Sequence, residues 1–233
     1  MKDRCVAIIP ARGGSKRIPR KNIRKFLGRP IIRYSIDAAL EAGIFDKVMV
    51  STEDKEIARV VASLKAQVPF LRSEKTSDDH AMLADVIEEV LLEYRKRGED
   101  FEYFCCILAT APFIRAERLV KAMRLLKDSG ADSVVPVVRY GYPIQRALKI
   151  EDNRLKMIWP ENYNKRSNDL MSAYHDCGQF YCMKTESLLK QKKLFAEYTV
   201  PIEIPESETQ DIDNDEDWKV AELKYKLLKG IKK

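Results

Sequence analysis

No stretch of this chain stays apolar for the roughly 18 residues that a membrane-spanning helix needs, and no apolar leader with a small-residue cleavage site opens it. A cytoplasmic protein with no membrane partner is the expectation. The five cysteines are an odd number and contain no Cys-x-x-Cys pair, so neither a zinc site nor a disulfide framework is indicated and buried, reduced thiols are expected. No internal repeat and no low-complexity linker interrupts the 233 residues, whose 45% hydrophobic content suffices for one α/β unit with a full core. Two familiar phosphate-binding signatures are missing as well. Gly13-Gly14-Ser15-Lys16 has its serine before the lysine and no second Gly-Lys, which is not a Walker A loop, and the dinucleotide pattern G-x-G-x-x-G does not occur. A P-loop ATPase and an ordinary Rossmann dehydrogenase are thereby disfavoured.

What the chain does have is a basic loop straight after its first apolar run. Cys5-Val6-Ala7-Ile8-Ile9 reads as a buried strand, and Pro10-Ala11-Arg12-Gly13-Gly14-Ser15-Lys16-Arg17-Ile18-Pro19-Arg20-Lys21-Asn22 follows it. In an open α/β sheet the loop leaving the carboxyl end of the first strand lies where ligands bind. The glycines allow close approach of backbone N–H groups to an anion, while Arg12, Lys16, Arg17, Arg20 and Lys21 bring cationic donors. No acidic residue interrupts the loop, so its charge is expected to be uncompensated locally.

The net charge is +6, from 42 Lys+Arg against 36 Asp+Glu; without the loop's basic residues the excess falls to +1. Positive charge gathered in one loop suits a compact anionic ligand better than a nucleic-acid track, where it would be spread over a face. On the loop alone, a solvated basic turn remains the alternative.

Strand-like and helix-like segments alternate downstream. A helix starting near Pro30 carries Ile32, Ile36, Ala39 and Leu40 to Gly43; Val48 and Val50 fit a strand; Ile57, Val60, Val61 and Leu64 mark a helix; Phe70-Leu71 reads as a short strand. A long amphipathic helix from Leu83 through Tyr94 stops at Gly98, Tyr103 to Leu108 is a continuous apolar strand, Leu119 to Leu126 a helix, and Ser133 to Val138 a strand. This order predicts a doubly wound, mostly parallel sheet. Residues 140–176 then turn polar and irregular, with a hairpin expected around Asp152-Asn153, as in a lid or an arm that docks on a partner. Core-like text returns at Gly178 to Met183. A closing helix is expected to present Val220, Leu223, Leu227 and Leu228 to the core.

Just before that helix lies Asp211-Ile212-Asp213-Asn214-Asp215-Glu216-Asp217. In an extended segment Asp211 and Asp213 point to one side and offer both carboxylates to one cation; Mg²⁺ takes such oxygens together with those of a polyphosphate. Helix capping by Asp213 or Asn214 explains the later acids but does not need Asp211.

Ile9-Pro10-Ala11-Arg12-Gly13-Gly14-Ser15-Lys16 with Lys21-Asn22, and Asp211-Ile212-Asp213 at the far end, resemble the acylneuraminate cytidylyltransferases, enzymes that make CMP-sugars from CTP and nine-carbon ulosonic acids. The resemblance covers essentially the whole chain. The internal motifs Ala109-Thr110-Ala111-Pro112-Phe113, Tyr142-Pro143-Ile144-Gln145-Arg146-Ala147 and Tyr174-His175-Asp176-Cys177-Gly178-Gln179-Phe180-Tyr181 are most similar to the members that act on pseudaminic acid. Sialic-acid members usually carry a glutamine where this chain has Ala109 and Asn-Gly where it has Cys177-Gly178. Activation of N-acetylneuraminic or legionaminic acid is the alternative within the family; a non-catalytic nucleotide- or RNA-binding protein is the alternative outside it.

The resemblance implies a Rossmann-like nucleotidyltransferase fold in a single domain over 1–233, with 140–176 as an inserted dimerisation arm and a homodimer as the assembly. It implies nucleotide contacts from Ala11, Arg12, Gly13, Ser15, Lys16, Lys21, Asn22, Arg72 and Thr110, with Arg12 and Lys21 on the reacting phosphates. Asp211 and Asp213 would hold Mg²⁺. Gln145, Arg146, Arg166, His175, Gln179 and Tyr181 would hold the sugar acid, Arg166 by a bidentate grip on its carboxylate that serves its own or the partner's site. No side chain stands out as a general base.

Overall fold

A computed structural model describes residues 3–78 and 81–231. β1 (Cys5–Pro10) leads through the basic loop into a small hairpin, β2 (Lys25–Phe26) and β3 (Arg29–Pro30), and on to α1 (Ile32–Ala42), β4 (Lys47–Ser51) and α2 (Lys55–Ala62). Then come α3 (Leu83–Lys96), β5 (Tyr103–Ile107), α4 (Ala116–Ser129) and β6 (Ser133–Arg139). A hairpin of β7 (Leu148–Glu151) and β8 (Arg154–Met157) stands apart from the main sheet. The chain returns through β9 (Tyr174–Asp176), β10 (Phe180–Lys184), α5 (Thr185–Gln191) and β11 (Thr199–Glu203) to α6 (Asp215–Lys229).

The main sheet has the order β11-β6-β10-β5-β1-β4, with β9 added beside β6. β1 pairs in parallel with β4 and β5, and β11 with β6. β10 runs antiparallel to both its neighbours and β9 antiparallel to β6, so the sheet is mostly parallel with reversed strands where the chain comes back from the irregular segment. From β1 the chain steps to β4 on one side and then crosses to β5 on the other. That reversal leaves a crevice beyond the carboxyl ends of β1 and β5, the place where open α/β sheets bind ligands.

The continuous apolar text of β1 follows from burial on both faces. Ala7 and Ile9 pack toward Ile32 and Ile36 of α1, Ile57 of α2 and Leu119 of α4. Val6 and Ile8 pack toward Ile87, Val90 and Leu91 of α3 and Leu188 of α5. A separate cluster joins Ile18 of the basic loop, Phe26 and Ile31, Phe113, Ile212 and Trp218. It ties the loop, the segment after β5 and the acidic run to one apolar anchor, with Phe26 packed edge-on to Trp218 and Tyr225 at centroid distances of 5.8 and 5.7 Å.

Several local expectations are corrected. Phe70-Leu71 is not a strand; the contact with β4 is made earlier, by Gln67, whose N–H donates to the Val48 carbonyl while its own carbonyl accepts from Val50. Pro30 belongs to β3 and α1 starts at Ile32; α2 ends at Ala62, short of Leu64. The closing helix turns the other way: Trp218 and Ala221 are buried, whereas Leu223 and Leu227 are 60% and 83% exposed. The hairpin at Asp152-Asn153 forms as expected, both residues taking positive φ (51° and 57°), which suits a two-residue turn between twisted strands. All five cysteines are buried and unbridged. Among the described residues no helix is long and apolar enough to cross a membrane.

Candidate active site

The crevice is a cleft of about 490 Å³. The basic loop lines one wall with Arg12, Ser15, Lys16, Arg17, Lys21 and Asn22; Arg72 and Thr76 line another; Leu108, Ala109 and Thr110 come from the end of β5, and Asp213 closes the far side. Of the nine residues expected to contact a nucleotide, Arg12, Ser15, Lys16, Lys21, Asn22, Arg72 and Thr110 therefore meet in one cavity.

The other two are committed elsewhere. Ala11 is fully buried and its N–H donates to the Ser51 carbonyl at 2.9 Å. The Gly13 N–H donates to Glu53 Oε1 at 2.6 Å, so the amide expected to face a phosphate is held by a carboxylate. Asn22 lines the cleft but also steadies the loop, its Nδ2 donating to the Arg12 carbonyl at 2.8 Å. Arg72 is buried and fixed by Ser51, through Nε to Oγ at 3.1 Å and Nη2 to the carbonyl at 2.6 Å; burial lowers its pKa.

The expectation of a locally uncompensated loop charge is overturned by the tertiary structure. Arg20 makes a fork to Asp54, at 2.5 and 3.1 Å, and also reaches Glu56 at 2.5 Å. Arg17 pairs with Asp213 at 2.7 Å, and Lys21 lies 3.9 Å from the same carboxylate. Asp54 also caps α2 by accepting from the Glu56 and Ile57 N–H groups. The Arg20 bond above all, then those backbone bonds, holds the Asp54 carboxyl well below the usual carboxylate range. Lys21 moves the opposite way from a simple ion pair: burial lowers its pKa, while the Asp213 and Asp211 charges oppose that shift.

Ile212 is 1% exposed and sits in the apolar anchor; of the two flanking carboxylates Asp213 lines the cleft, whereas Asp211 is exposed outside that lining and acts on Lys21 through its charge. Lys21 Nζ donates to the Ile212 carbonyl, which joins the loop to the acidic segment. Asn214 is the cap of α6, accepting from the Glu216 and Asp217 N–H groups, so neither Asp211 nor Asp213 is used as a cap. Among the described residues no three His, Cys, Asp or Glu side chains converge to hold a metal. Two carboxylates beside a phosphate-sized cationic cleft are hard oxygen donors of the kind Mg²⁺ accepts, with phosphate and water completing its shell.

Residues expected to hold a sugar divide into two groups. Gln179 is buried at the start of β10, where Nε2 donates to the Glu208 carbonyl at 2.8 Å and Oε1 has no partner; Tyr181 donates its hydroxyl to Asp176. Gln145, Arg146 and Arg166 lie on the irregular segment instead, Gln145 bonded to the Met171 carbonyl and Arg146 to Ser167. His175, on β9, meets the Tyr140 ring in a tilted contact, centroids 4.8 Å apart at 56°. None of the six lines the cleft of its own chain, although Gln179 and Tyr181 lie beside β5 at its edge.

Sequence reading missed the residues that hold the site in shape. Arg115 and Arg118 at the start of α4 both grip Glu208, Thr209 donates to the Cys177 carbonyl, and Lys224 donates to the Thr209 carbonyl, which fixes the chain entering Asp211. Glu53 and Asp54 do the same for the basic loop. The parallel register Pro10↔Ser51 is what sets the turns after β1 and β4 side by side, and no local pattern in either segment reveals it.

A cytidylyltransferase family model matches residues 6–225. The pseudaminic acid cytidylyltransferase of Campylobacter jejuni is 38% identical, over 97% of each chain. The CMP-N,N'-diacetyllegionaminic acid synthase of Legionella pneumophila is 31% identical, over 96% of this chain and 97% of its own. Among solved structures, a CMP:2-keto-3-deoxy-manno-octonic acid synthetase complexed with CTP superposes with a TM-score of 0.71 at 16% identity, covering 98% of this chain and all of the other.

Proposed function

The chain belongs to the cytidylyltransferase family, and from that membership we propose that it transfers CMP from CTP to the anomeric hydroxyl of pseudaminic acid, releasing pyrophosphate. The observation that carries this reading is the cationic cleft at the switch point of the sheet, in a chain that matches a pseudaminic acid cytidylyltransferase along nearly its whole length. The resemblance to a legionaminic acid enzyme supports a second reading, activation of that sugar. A non-catalytic RNA binder gives way to the family membership.

In the proposed reaction the anomeric oxygen attacks the α-phosphorus, the bond to the β-phosphate breaks and pyrophosphate leaves in line. Arg12, Lys16 and Lys21 neutralise the charge that builds on the phosphates, Ser15 and Thr110 fix them by short hydrogen bonds, and Arg72, locked by Ser51, bounds the nucleoside side. Asp213, which now pairs with Arg17 and lies near Lys21, and Asp211 would hold Mg²⁺. When bound, the metal supplies charge neutralisation on the phosphates and lowers the hydroxyl's pKa.

The enzyme acts as a homodimer in the cytoplasm. The hairpin supports the assembly: Leu148 pairs with Met157 and Ile150 with Leu155 on one face, while Lys149, Lys156, Glu151 and Arg154 occupy the other. Ile150 and Leu155 are 78% and 66% exposed, an apolar face that a second copy would cover. Across such an interface Arg166, Gln145 and Arg146 would be delivered to the other subunit's cleft, which accounts for their distance from their own.

Incubating the chain with pseudaminic acid, Mg²⁺ and each nucleoside triphosphate in turn tests the activity by ³¹P NMR. CTP alone should give one sugar phosphodiester signal and stoichiometric pyrophosphate. Equal use of the other triphosphates, or no product with CTP, would overturn the assignment.

A further inference from the structure

The turn after β4 touches the basic loop at points that the proposed chemistry does not use. Glu53 accepts from the Gly13 N–H through Oε1, and its Oε2 is buried without a hydrogen bond. Asp54 grips Arg20 while capping α2. Arg20 is held with φ 55° and ψ 30°, the left-handed conformation that side-chain-bearing residues seldom adopt, and its Nε is buried without a partner. A Cβ built on Gly13 would lie 2.3 Å from Asp54 Oδ2, whereas one on Gly14 would meet nothing within 4 Å. A side chain at position 13 would thus collide with Asp54. Neither Glu53 nor Asp54 lines the cleft.

An unsatisfied carboxylate oxygen, an unsatisfied guanidinium nitrogen and a left-handed arginine all cost stability. Features of this kind persist where the surrounding structure over-determines them, typically beside functional segments. Here they converge on the loop between Gly13 and Lys21. Resting on the phosphate-cradle reading of that loop, we propose that Glu53 and Asp54 are its positioning residues. Glu53 pins the loop's entry through the Gly13 amide, and Asp54 pins its exit by holding Arg20 in the turn that aims Lys21 into the cleft. The pair sets the spacing between Arg12 and Lys21, and so the affinity for a triphosphate.

The test separates positioning from bulk stability. Asp54→Asn keeps an equally good helix cap but weakens the charged fork, and Glu53→Gln keeps an acceptor for Gly13 that Glu53→Ala removes. Glu53→Ala and Asp54→Asn should each weaken CTP binding, read by equilibrium titration, by roughly 10-fold to 100-fold, the scale of an ångström-level misplacement. The sugar KM and the melting temperature should move little, and Glu53→Gln should recover most of the loss. Gly13→Ala should be costly alone but less than multiplicative with Asp54→Ser, since removing Oδ2 relieves the clash. Unchanged CTP affinity in both single variants overturns the proposal. So does a parallel loss of CTP affinity, sugar affinity and melting temperature, which marks a merely structural turn. A wild-type chain that binds no CTP removes the phosphate-cradle reading, and the proposal with it.

Discussion

Lys21 stands where the basic loop meets the acidic segment, its ammonium on the Ile212 carbonyl and 3.9 Å from Asp213. With burial lowering its pKa, the protonated form that binds phosphate is present below that pKa and is lost as pH rises through it. CTP affinity should therefore decline on the alkaline side earlier than an ordinary exposed lysine would allow. Asp213→Asn removes a field that favours the ammonium and should move that decline to still lower pH, seen by titrating CTP binding against pH. Lys21→Ala should cut kcat/KM by about 100-fold or more, the scale of a lost transition-state donor, with the fold retained by circular dichroism. Asp211→Asn and Asp213→Asn should each abolish Mg²⁺-dependent turnover while the melting temperature holds, because Asn214 carries the cap. Turnover that survives in Asp213→Asn would contradict the metal-holding role, since asparagine caps a helix about as well as aspartate. The cations and the acidic pair were legible in sequence because like residues cluster within one short segment. Their compensation by Asp54, Glu56 and Asp213, and the capture of the Gly13 amide by Glu53, depend on strand register and on chain ends meeting, which no local pattern encodes.

The strands and helices of the alternating half were legible from apolar runs and helical periods, because β1, β4 and β5 are buried on both faces. α6 shows where that reasoning fails. Val220, Leu223 and Leu227 recur at helical spacing, and so do Trp218, Ala221 and Tyr225; periodicity cannot choose between two apolar stripes on one helix. Tertiary packing chose the second, since Trp218 and Tyr225 meet Phe26 edge-on. Trp218→Ala should cost about 3–5 kcal/mol in chemical denaturation. Leu227→Lys should stay within about 0.5 kcal/mol of the parent, and the reverse ranking would contradict the observed face. The β7–β8 hairpin was legible from its turn residues, but its apolar face is left exposed among the described residues. Ile150→Lys should convert a dimer to a monomer in sedimentation velocity. Arg166→Ala should raise the sugar KM more than the CTP KM. A fully active wild-type monomer would rule out the shared site.

At the scale of the molecule, the sheet brings the basic loop, the β5 segment and the acidic run to one crevice. That much fits a cytidylyltransferase whatever its sugar. The choice of pseudaminic acid rests on finer features. Ala109 is buried beside the cleft and offers no amide to a sialate-type sugar, and Gln179 presents a buried Oε1 without a partner in the same region of the sheet. Sites with fixed polar groups discriminate strongly, because a substrate that leaves one unpaired forfeits its desolvation. The most direct measurement is kcat/KM for pseudaminic, N-acetylneuraminic and legionaminic acids with saturating CTP and Mg²⁺. Pseudaminic acid should lead N-acetylneuraminic acid by at least about 100-fold, as expected for mismatched polar groups. Equal values, or a lead for either of the other two acids, would contradict the assignment of pseudaminic acid as the substrate.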